Sequence, residues 1–551
     1  MLLLDKVYLV WDSMFHFNLK NKMKNKFKIL ATAILMAGTL GVTTSCSEDE
    51  IIDLKPFNSI DENLAFSTAG NVDLAVFGVY NAAANGFYYT SPDAANTPRG
   101  YIFGAAYIAQ NDMRGEDMVN TATFYQVTYT AAYDGGTPNN WYYWDNGFAL
   151  INKANIAIEG LNKAGASGII SEAAKNSYLG EMYYLRAMAY LELTKMFCQP
   201  YNYNGSNPHY GLPYFDFAIN TPAAIDAAQQ IGRGTVAETY TKILADFDKA
   251  EQLAPSKSTR TGNSKVARAT KEAAIAMKVR AYLQMRDWNK VLSEGAKLNG
   301  VYTLVSDPSA LFASIGATYS NTESIFSIEN SATTNPGQNA SPAALYNNRA
   351  LVCISPIIWR NEKWLNDDKR RSEGSMVKTS AAGVKFSNKY KDFTTMAEAT
   401  PIIRYAEVVL AMAEANARLG NTATAVDQLN LVRNRSLASP STQEYTSSSF
   451  ANASSLVEAI VTERRIEFLA EGNRWGDIHR LLYDDLAPTS GIPAKMANAT
   501  PAAAAYTLGT PYTGPLNIAM IPKTDHRILW PIPTTTVVNS QIMNEQKNPG
   551  Y

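Results

Sequence analysis

Histidine and cysteine are nearly missing: the 551 residues hold four of the first and three of the second. The histidines form no HExxH or HxH pattern, and Cys46, Cys198 and Cys353 include no CxxC pair. An odd number of thiols without paired spacing argues against a disulfide framework or a zinc site. No protein-built transition-metal centre is expected, because its ligand spacings are absent, and no EF-hand-type calcium loop is present. Charge is thin as well. Asp, Glu, Lys and Arg make up 18% of the residues, below the usual quarter, and the formal net charge is −1. That balance leaves no basic footprint for nucleic acid. Polarity comes instead from Asn, Ser, Thr and Tyr, with 31 Tyr in all. Such a composition suits an exported protein that meets neutral, hydroxyl-rich ligands. Hydrophobic residues reach 46%, enough for a sizeable core, and a helical solenoid could absorb most of this length.

Residues 23–46 read MKNKFKILATAILMAGTLGVTTSC. Lys24, Lys26 and Lys28 form a basic start, and the apolar run at 29–42 is too short to span a bilayer as a helix. Small residues Thr43, Thr44 and Ser45 then precede Cys46, which is the construction of a secretory signal. A cysteine in that place resembles a bacterial lipoprotein signal, although Thr43 stands where such signals favour Leu. The resemblance implies that the Cys46 sulfur carries a diacylglyceryl group and becomes the mature N-terminus; the other reading is a cleaved signal with a leftover cysteine. The acidic run Ser47, Glu48, Asp49 and Glu50 resembles the surface-export signals of Bacteroidota lipoproteins. Residues 1–22 fit no element and are expected to be an extension upstream of a start at Met23. The expected order is thus extension 1–22, signal peptide 23–45, lipidated tether 46–57 and a folded domain over 58–551. Nothing after Cys46 is long and apolar enough for a membrane-spanning helix, so a lipid would be the only membrane attachment.

Within the body, apolar residues recur at three- and four-residue steps over 61–84, 144–161, 173–197, 235–253, 270–285, 288–298, 402–419, 422–435 and 454–482, which predicts helices arranged in pairs. Small residues mark seams where helices approach closely: Ala269, Ala273, Ala276 and Ala281 in one pair, and Ala406, Ala413 and Gly420 in another. Antiparallel pairs of this kind are similar to tetratricopeptide repeats. Residues 86–140 lack a sustained helical period but are rich in Tyr, which argues against disorder. Between 300 and 400 the pattern changes again; SIFSIE at 324–329 reads as a short strand, and Tyr346, Trp359 and Trp364 stand among Asn, Ser and Pro. The fold class is mainly α, a helix-pair scaffold with an irregular, loop-rich ligand-binding lobe.

ERRIEFLAEGNRWGDIHR, residues 463–480, mixes charge with Ile466, Phe468, Leu469, Trp475 and Ile478. On one helix, Arg464 would reach Glu467, and Arg474 would reach both Glu471 and Asp477, each at three residues' distance. Catalysis by paired carboxylates needs one of them protonated in an open cleft. Arginines one turn away would instead hold these carboxylates ionised. The expected role is a partly buried ion-pair network that locks helices in register, formed by Arg404, Glu407, Glu414, Glu463, Arg464, Arg465, Glu467, Glu471, Arg474 and Asp477.

These motifs carry a resemblance. GEMYYLRAMAYLELTKMF (180–197), RATKEAAIAMKVRAYLQMRDW (268–288), RYAEVVLAMAEA (404–415), LNLVRNR (429–435), ERRIEFLAEGNRWGDIHR, WPIP (530–533) and KNPGY (547–551) follow in the order found in the SusD/RagB family of surface lipoproteins, with Lys547 in place of the family's Gln. The resemblance implies a SusD-like domain with an N-terminal part over about 58–300 and a C-terminal part over about 301–551. It implies a lipid-anchored protein on the extracellular face of the outer membrane, where it captures oligosaccharides for a SusC-like TonB-dependent receptor. No catalysis and no cofactor are implied. Because binding usually lives on loops carried by a rigid scaffold, the expected ligand residues are Tyr88, Tyr89, Asn111, Asp112, Tyr125, Tyr346 and Trp359. Capture of peptides or glycopeptides by the same architecture is an alternative. Others are a pure assembly scaffold and a glycoside hydrolase using Asp112, Glu116 and Asp117.

Overall fold

The computed structural model describes residues 62–88, 97–203, 209–312 and 319–551; the signal, Cys46 and the tether lie outside that set. Helices start where the sequence supplies an oxygen for the free N–H groups of a first turn. Thr68 caps α1 (Ala69–Asn85) by accepting the Asn71 amide. After α2 (Ala105–Met113) come α3 (Pro138–Ala166), with Pro in its first turn, and α4 (Glu172–Phe197), capped by Ser171. Thr235 and Glu238 form a reciprocal capping box on α5 (Val236–Leu253). Thr270 caps α6 (Lys271–Met285) and Asp287 caps α7 (Trp288–Ala296). The set closes with α8 (Tyr405–Arg418), α9 (Thr422–Arg433), α10 (Ala453–Glu467) and α11 (Arg474–Arg480). From α3 to α9 each helix packs on the next, while α1 leans on α3 and α10 on α8. This is the helix-pair stack of a solenoid, in which each element meets mainly its neighbours.

Helix α4 is the axis of the stack. Residues 179–197 are buried except Tyr183, so this stretch of the helix has no solvent-facing side. Its buried charges are paired: Glu181 meets Arg260 at 2.7 Å and Arg268 at 2.5 Å, Arg186 meets Asp246 at 2.7 Å, and Lys195 meets Glu192 at 2.5 Å. Unpaired, they would not be tolerated there. Gly180 lets α4 touch the end of α5; a Cβ in its place would stand 2.3 Å from the Ala254 nitrogen.

Short strands join distant parts of the chain. Strand β1 (Met118–Asn120) pairs antiparallel with β3 (Val352–Ile354), and β2 (Ser324–Ile328) with β6 (Thr400–Arg404). Hairpin strands β4 (Val377–Thr379) and β5 (Lys385–Ser387) pair with each other. Ile402, Ile403 and Arg404 therefore belong to a strand, not to the start of a helix. Pro401 and two β-branched residues favour extended backbone there, and β2 supplies the partner.

Three further expectations change. Residues 86–140 contain α2, buried over its whole length, and Tyr101, Tyr107, Tyr125, Tyr129 and Tyr133 join the main core with Trp530. Gly420 is exposed with φ +83 and ends α8 rather than forming a seam. Residues 454–482 form two helices: Ala470 (φ 62) and Gly472 (φ 75) turn the chain between α10 and α11.

Candidate functional site

The turn between α10 and α11 rearranges the charges of residues 463–480. The expected contacts of Arg464 with Glu467, and of Arg474 with Glu471 and Asp477, do not form; each side chain reaches another element instead. Glu467 accepts Arg404 from β6 at 2.7 Å, Arg370 at 2.8 Å and Arg435 at 2.5 Å. Glu471 accepts Arg404 at 2.9 Å and Lys389 at 2.6 Å. Glu323 takes a further bond from Arg404 at 2.7 Å. Elsewhere Arg464 reaches Asp477 at 2.8 Å, Arg480 reaches Glu414 at 2.7 Å, and Glu407 pairs with Arg280 at 2.6 Å. Arg465 meets Asp117 at 2.5 Å and Arg474 meets Glu116 at 2.7 Å, which ties this segment to the loop after α2.

Burial alone would raise these carboxyls, but the cations win at most of them. Arg435, Arg404 and Arg370 hold Glu467 well below the usual range, and Arg464 with Arg480 holds Asp477 at about 2. Glu463, paired with Arg370 at 2.5 Å, is pushed up by burial. All these carboxylates are buried and bonded to protein. The arrangement clamps α8, α10, α11 and β6 together; of its members, Arg404 and Lys389 border a small cavity of about 50 Å³ beside Phe312 and Tyr390.

The predicted ligand residues separate from the surface. Asn111 donates to Glu192 at 2.9 Å, and Asp112 accepts the Tyr346 hydroxyl at 2.8 Å. Burial pushes the Asp112 carboxyl up to about 8. Tyr125 and Tyr346 are fully buried, and Trp359 donates its indole N–H to the Tyr506 carbonyl at 3.0 Å. These five side chains pack the core rather than line a binding face: the three rings bury large apolar area, and Asn111 and Asp112 sit on the buried helix α2 with polar partners inside. Tyr88 ends a two-residue strand paired with Thr97–Pro98; its side chain and the whole of Tyr89 lie outside the described residues. Asp112 and Glu116 have separated proton affinities, since Arg474 and Arg465 hold Glu116 at about 2 against burial. Yet both are buried and both are engaged by protein, so they do not form the open carboxylate pair a glycosidase needs. Among the described residues no three His, Cys, Asp or Glu side chains gather as a metal site.

An open cavity lies elsewhere, on the hairpin side of the 300–400 region. It has a volume of about 610 Å³ and is lined by Asn347, Lys378, Asn388, Lys391, Phe393 and Thr394, with Asp392 and Thr395 beside them. Phe393 is 43% exposed. The polar groups around it are held in place: Lys378 donates to the Asn347 side-chain oxygen at 3.0 Å, and Lys391 to the Phe312 carbonyl at 3.2 Å. Asp392, also on the lining, accepts the Thr395 amide at 2.8 Å and the Ala397 amide at 3.1 Å. An exposed ring beside amides, hydroxyls and ammonium groups offers an apolar face for C–H patches and donors for hydroxyl groups. Sequence reasoning missed this place. Its only signal was one ring without periodic partners inside KDFTT, residues 391–395.

Comparison with known proteins agrees with this architecture. A family model described as the SusD family matches residues 322–551, and one described as "Starch-binding associating with outer membrane" matches residues 59–283. "SusD-like protein P38" of Formosa agariphila is 22% identical over 524 residues, covering 85% of this chain and 94% of that protein. A SusD superfamily protein from Bacteroides fragilis superposes with TM-score 0.69 at 26% identity, over 87% of this chain and 99% of that one. Another from Bacteroides thetaiotaomicron gives TM-score 0.69 at 21% identity, over 88% and 100%. Among the described residues, no helix is long and apolar enough to cross a membrane.

Proposed function

The chain belongs to the SusD family, and from that premise we propose that it is a lipid-anchored glycan-binding protein on the outer face of the outer membrane. It captures oligosaccharides and passes them to a SusC-like TonB-dependent transporter. It binds without catalysis. The observation that carries the binding reading is the Phe393 cavity: about 610 Å³, open, and bordered by amides and hydroxyls on a scaffold stiffened by buried ion pairs. Saccharide sites are shallow and wet and need few strong contacts. The matched model described as starch-binding and outer-membrane-associated supports both the ligand class and the location.

The test is retention of the mature chain in native gels cast with neutral polysaccharides such as starch and dextran. Retention without product release supports glycan capture. Phe393→Ala should weaken the binding about tenfold, the value of one ring contact, and leave thermal unfolding unchanged. Binding of peptide digests with no retention by any glycan would establish the peptide alternative. Failure of both would leave an assembly role, which is read by co-purification with the transporter.

A further inference from the structure

Buried arginines in this protein generally meet carboxylates. Arg371 does not, and it shares a cavity with the partly exposed Arg360. Arg360 and Arg371 line a space of about 240 Å³ with Asn361, Trp364, Asn366 and the loop at Leu508–Pro511. Among the described residues neither guanidinium has a carboxylate oxygen within 4.0 Å. Arg371 is 8% exposed. Its Nε donates to the Leu365 carbonyl at 2.9 Å, and its Nη2 to the carbonyls of Trp359 at 2.7 Å and Trp364 at 2.6 Å. The group lies over both indole rings, 4.5 Å from Trp359 and 4.3 Å from Trp364. Its position is therefore fixed by carbonyls and rings, with no carboxylate in contact. Two buried donors of this cluster, Nη1 of Arg371 and Nε1 of Trp364, have no partner within the protein. Arg360 is held by Thr510, with Nε on the carbonyl at 2.8 Å and Nη2 on the hydroxyl at 2.7 Å. A Cβ built on Gly509 meets nothing within 4 Å, so the rim is open there. One acid, the exposed Glu362, also borders the space.

We propose that this cavity binds the anionic group of an acidic saccharide, a uronate carboxylate or a sulfate ester, against Arg360, with the fixed charge of Arg371 behind it. The inference rests on the glycan-capture reading and narrows it to a substrate class. A guanidinium suits both oxyanions; with Nε and Nη2 of Arg360 held by Thr510, its Nη1 is the nitrogen left for the ligand. The side-chain amides of Asn361 and Asn366 are placed to serve the hydroxyls of the same ring. The space suits about one pyranose ring, so a longer chain would run out over the rim.

The test uses the full mature chain in gels containing polygalacturonate, dextran sulfate or unmodified dextran at low and high salt. Retention by polygalacturonate or by dextran sulfate, weakened by salt, is expected; whichever is retained identifies carboxylate or sulfate as the group bound. Arg360→Gln should weaken that retention at least about fivefold, the loss of one charge-assisted contact. Glu362→Gln should strengthen it by removing the opposing charge. Arg360 and Glu362 are not core residues, and circular dichroism checks that both variants fold. Retention by dextran alone overturns the acidic-ligand assignment and leaves glycan capture standing. Acidic retention that ignores both substitutions overturns the assignment to this cavity. No retention by any glycan overturns glycan capture itself.

Discussion

Replacing Arg404 with Met tests whether the buried charges are structural mortar. Arg404 is 4% exposed and donates to Glu323 at 2.7 Å, Glu467 at 2.7 Å and Glu471 at 2.9 Å, with its guanidinium 4.5 Å from the Phe468 ring. Methionine keeps much of the stem's volume and removes only the charge and the donors. Glu467 would retain Arg370 and Arg435, Glu323 would retain Arg435, and Glu471 would retain Lys389. Three carboxylates would still share too few cations in a dry interior. Breaking a buried network from one side costs about 3–5 kcal/mol, a large part of the roughly 5–15 kcal/mol that holds a domain folded. Urea unfolding at neutral pH should show the loss as a lower midpoint with an unchanged slope. The double variant Arg404→Met/Glu471→Gln should lose less than the sum of its single changes, by at least about 1 kcal/mol. The pH dependence has a definite sign. Cations depress Glu467 and Glu471, so their contribution is present above the unfolded carboxyl value near 4 and is lost as pH falls through the folded value. The gap between parent and variant should therefore narrow in acid. A loss below about 1 kcal/mol combined with a collapse of glycan retention would refute the structural role and make the network a ligand site.

Two further substitutions probe the core. Gly180→Ala puts a methyl 2.3 Å from the Ala254 nitrogen and should cost at least about 1–3 kcal/mol by calorimetry, because backbone at the helix crossing has no room to yield; a neutral result would mean that α4 and α5 are not in contact there. Asp112→Asn should be better tolerated as pH rises. Burial raises the Asp112 carboxyl to about 8, so between about 4 and 8 the unfolded chain releases a proton that the folded chain keeps. Parent stability then falls with rising pH through that window, by up to about 1.4 kcal/mol per unit, whereas the amide variant escapes the loss. Parallel stability–pH curves for the two would disprove it.

The fold was legible where signals are local. Thr235 and Thr270 marked helix starts, SIFSIE announced the strand Ser324–Ile328, and the periodicity of residues 173–197 located α4. Short irregular segments were not legible, because a tyrosine that packs inward and one that faces solvent have the same composition. Tyr125 and Tyr346 were thus placed on a binding face although both are buried. Pairing of charges failed for a related reason. Spacing rules work within one helix, but Arg465 finds Asp117 348 positions away, and Arg404 finds Glu471 67 positions away. A consequence follows for the sites themselves. Guanidinium groups advertise nothing in sequence while their partners are unknown, and in this interior most are claimed by a carboxylate. Once those pairs are assigned, and Arg114, Arg233 and Arg433 are seen to be held by carbonyls, Arg360 and Arg371 stand out as two cations without a carboxylate in contact that border one cavity. Specificity in such a chain would then reside in positions outside the paired framework, so substitutions there should change which glycan binds without disturbing the helices that carry it.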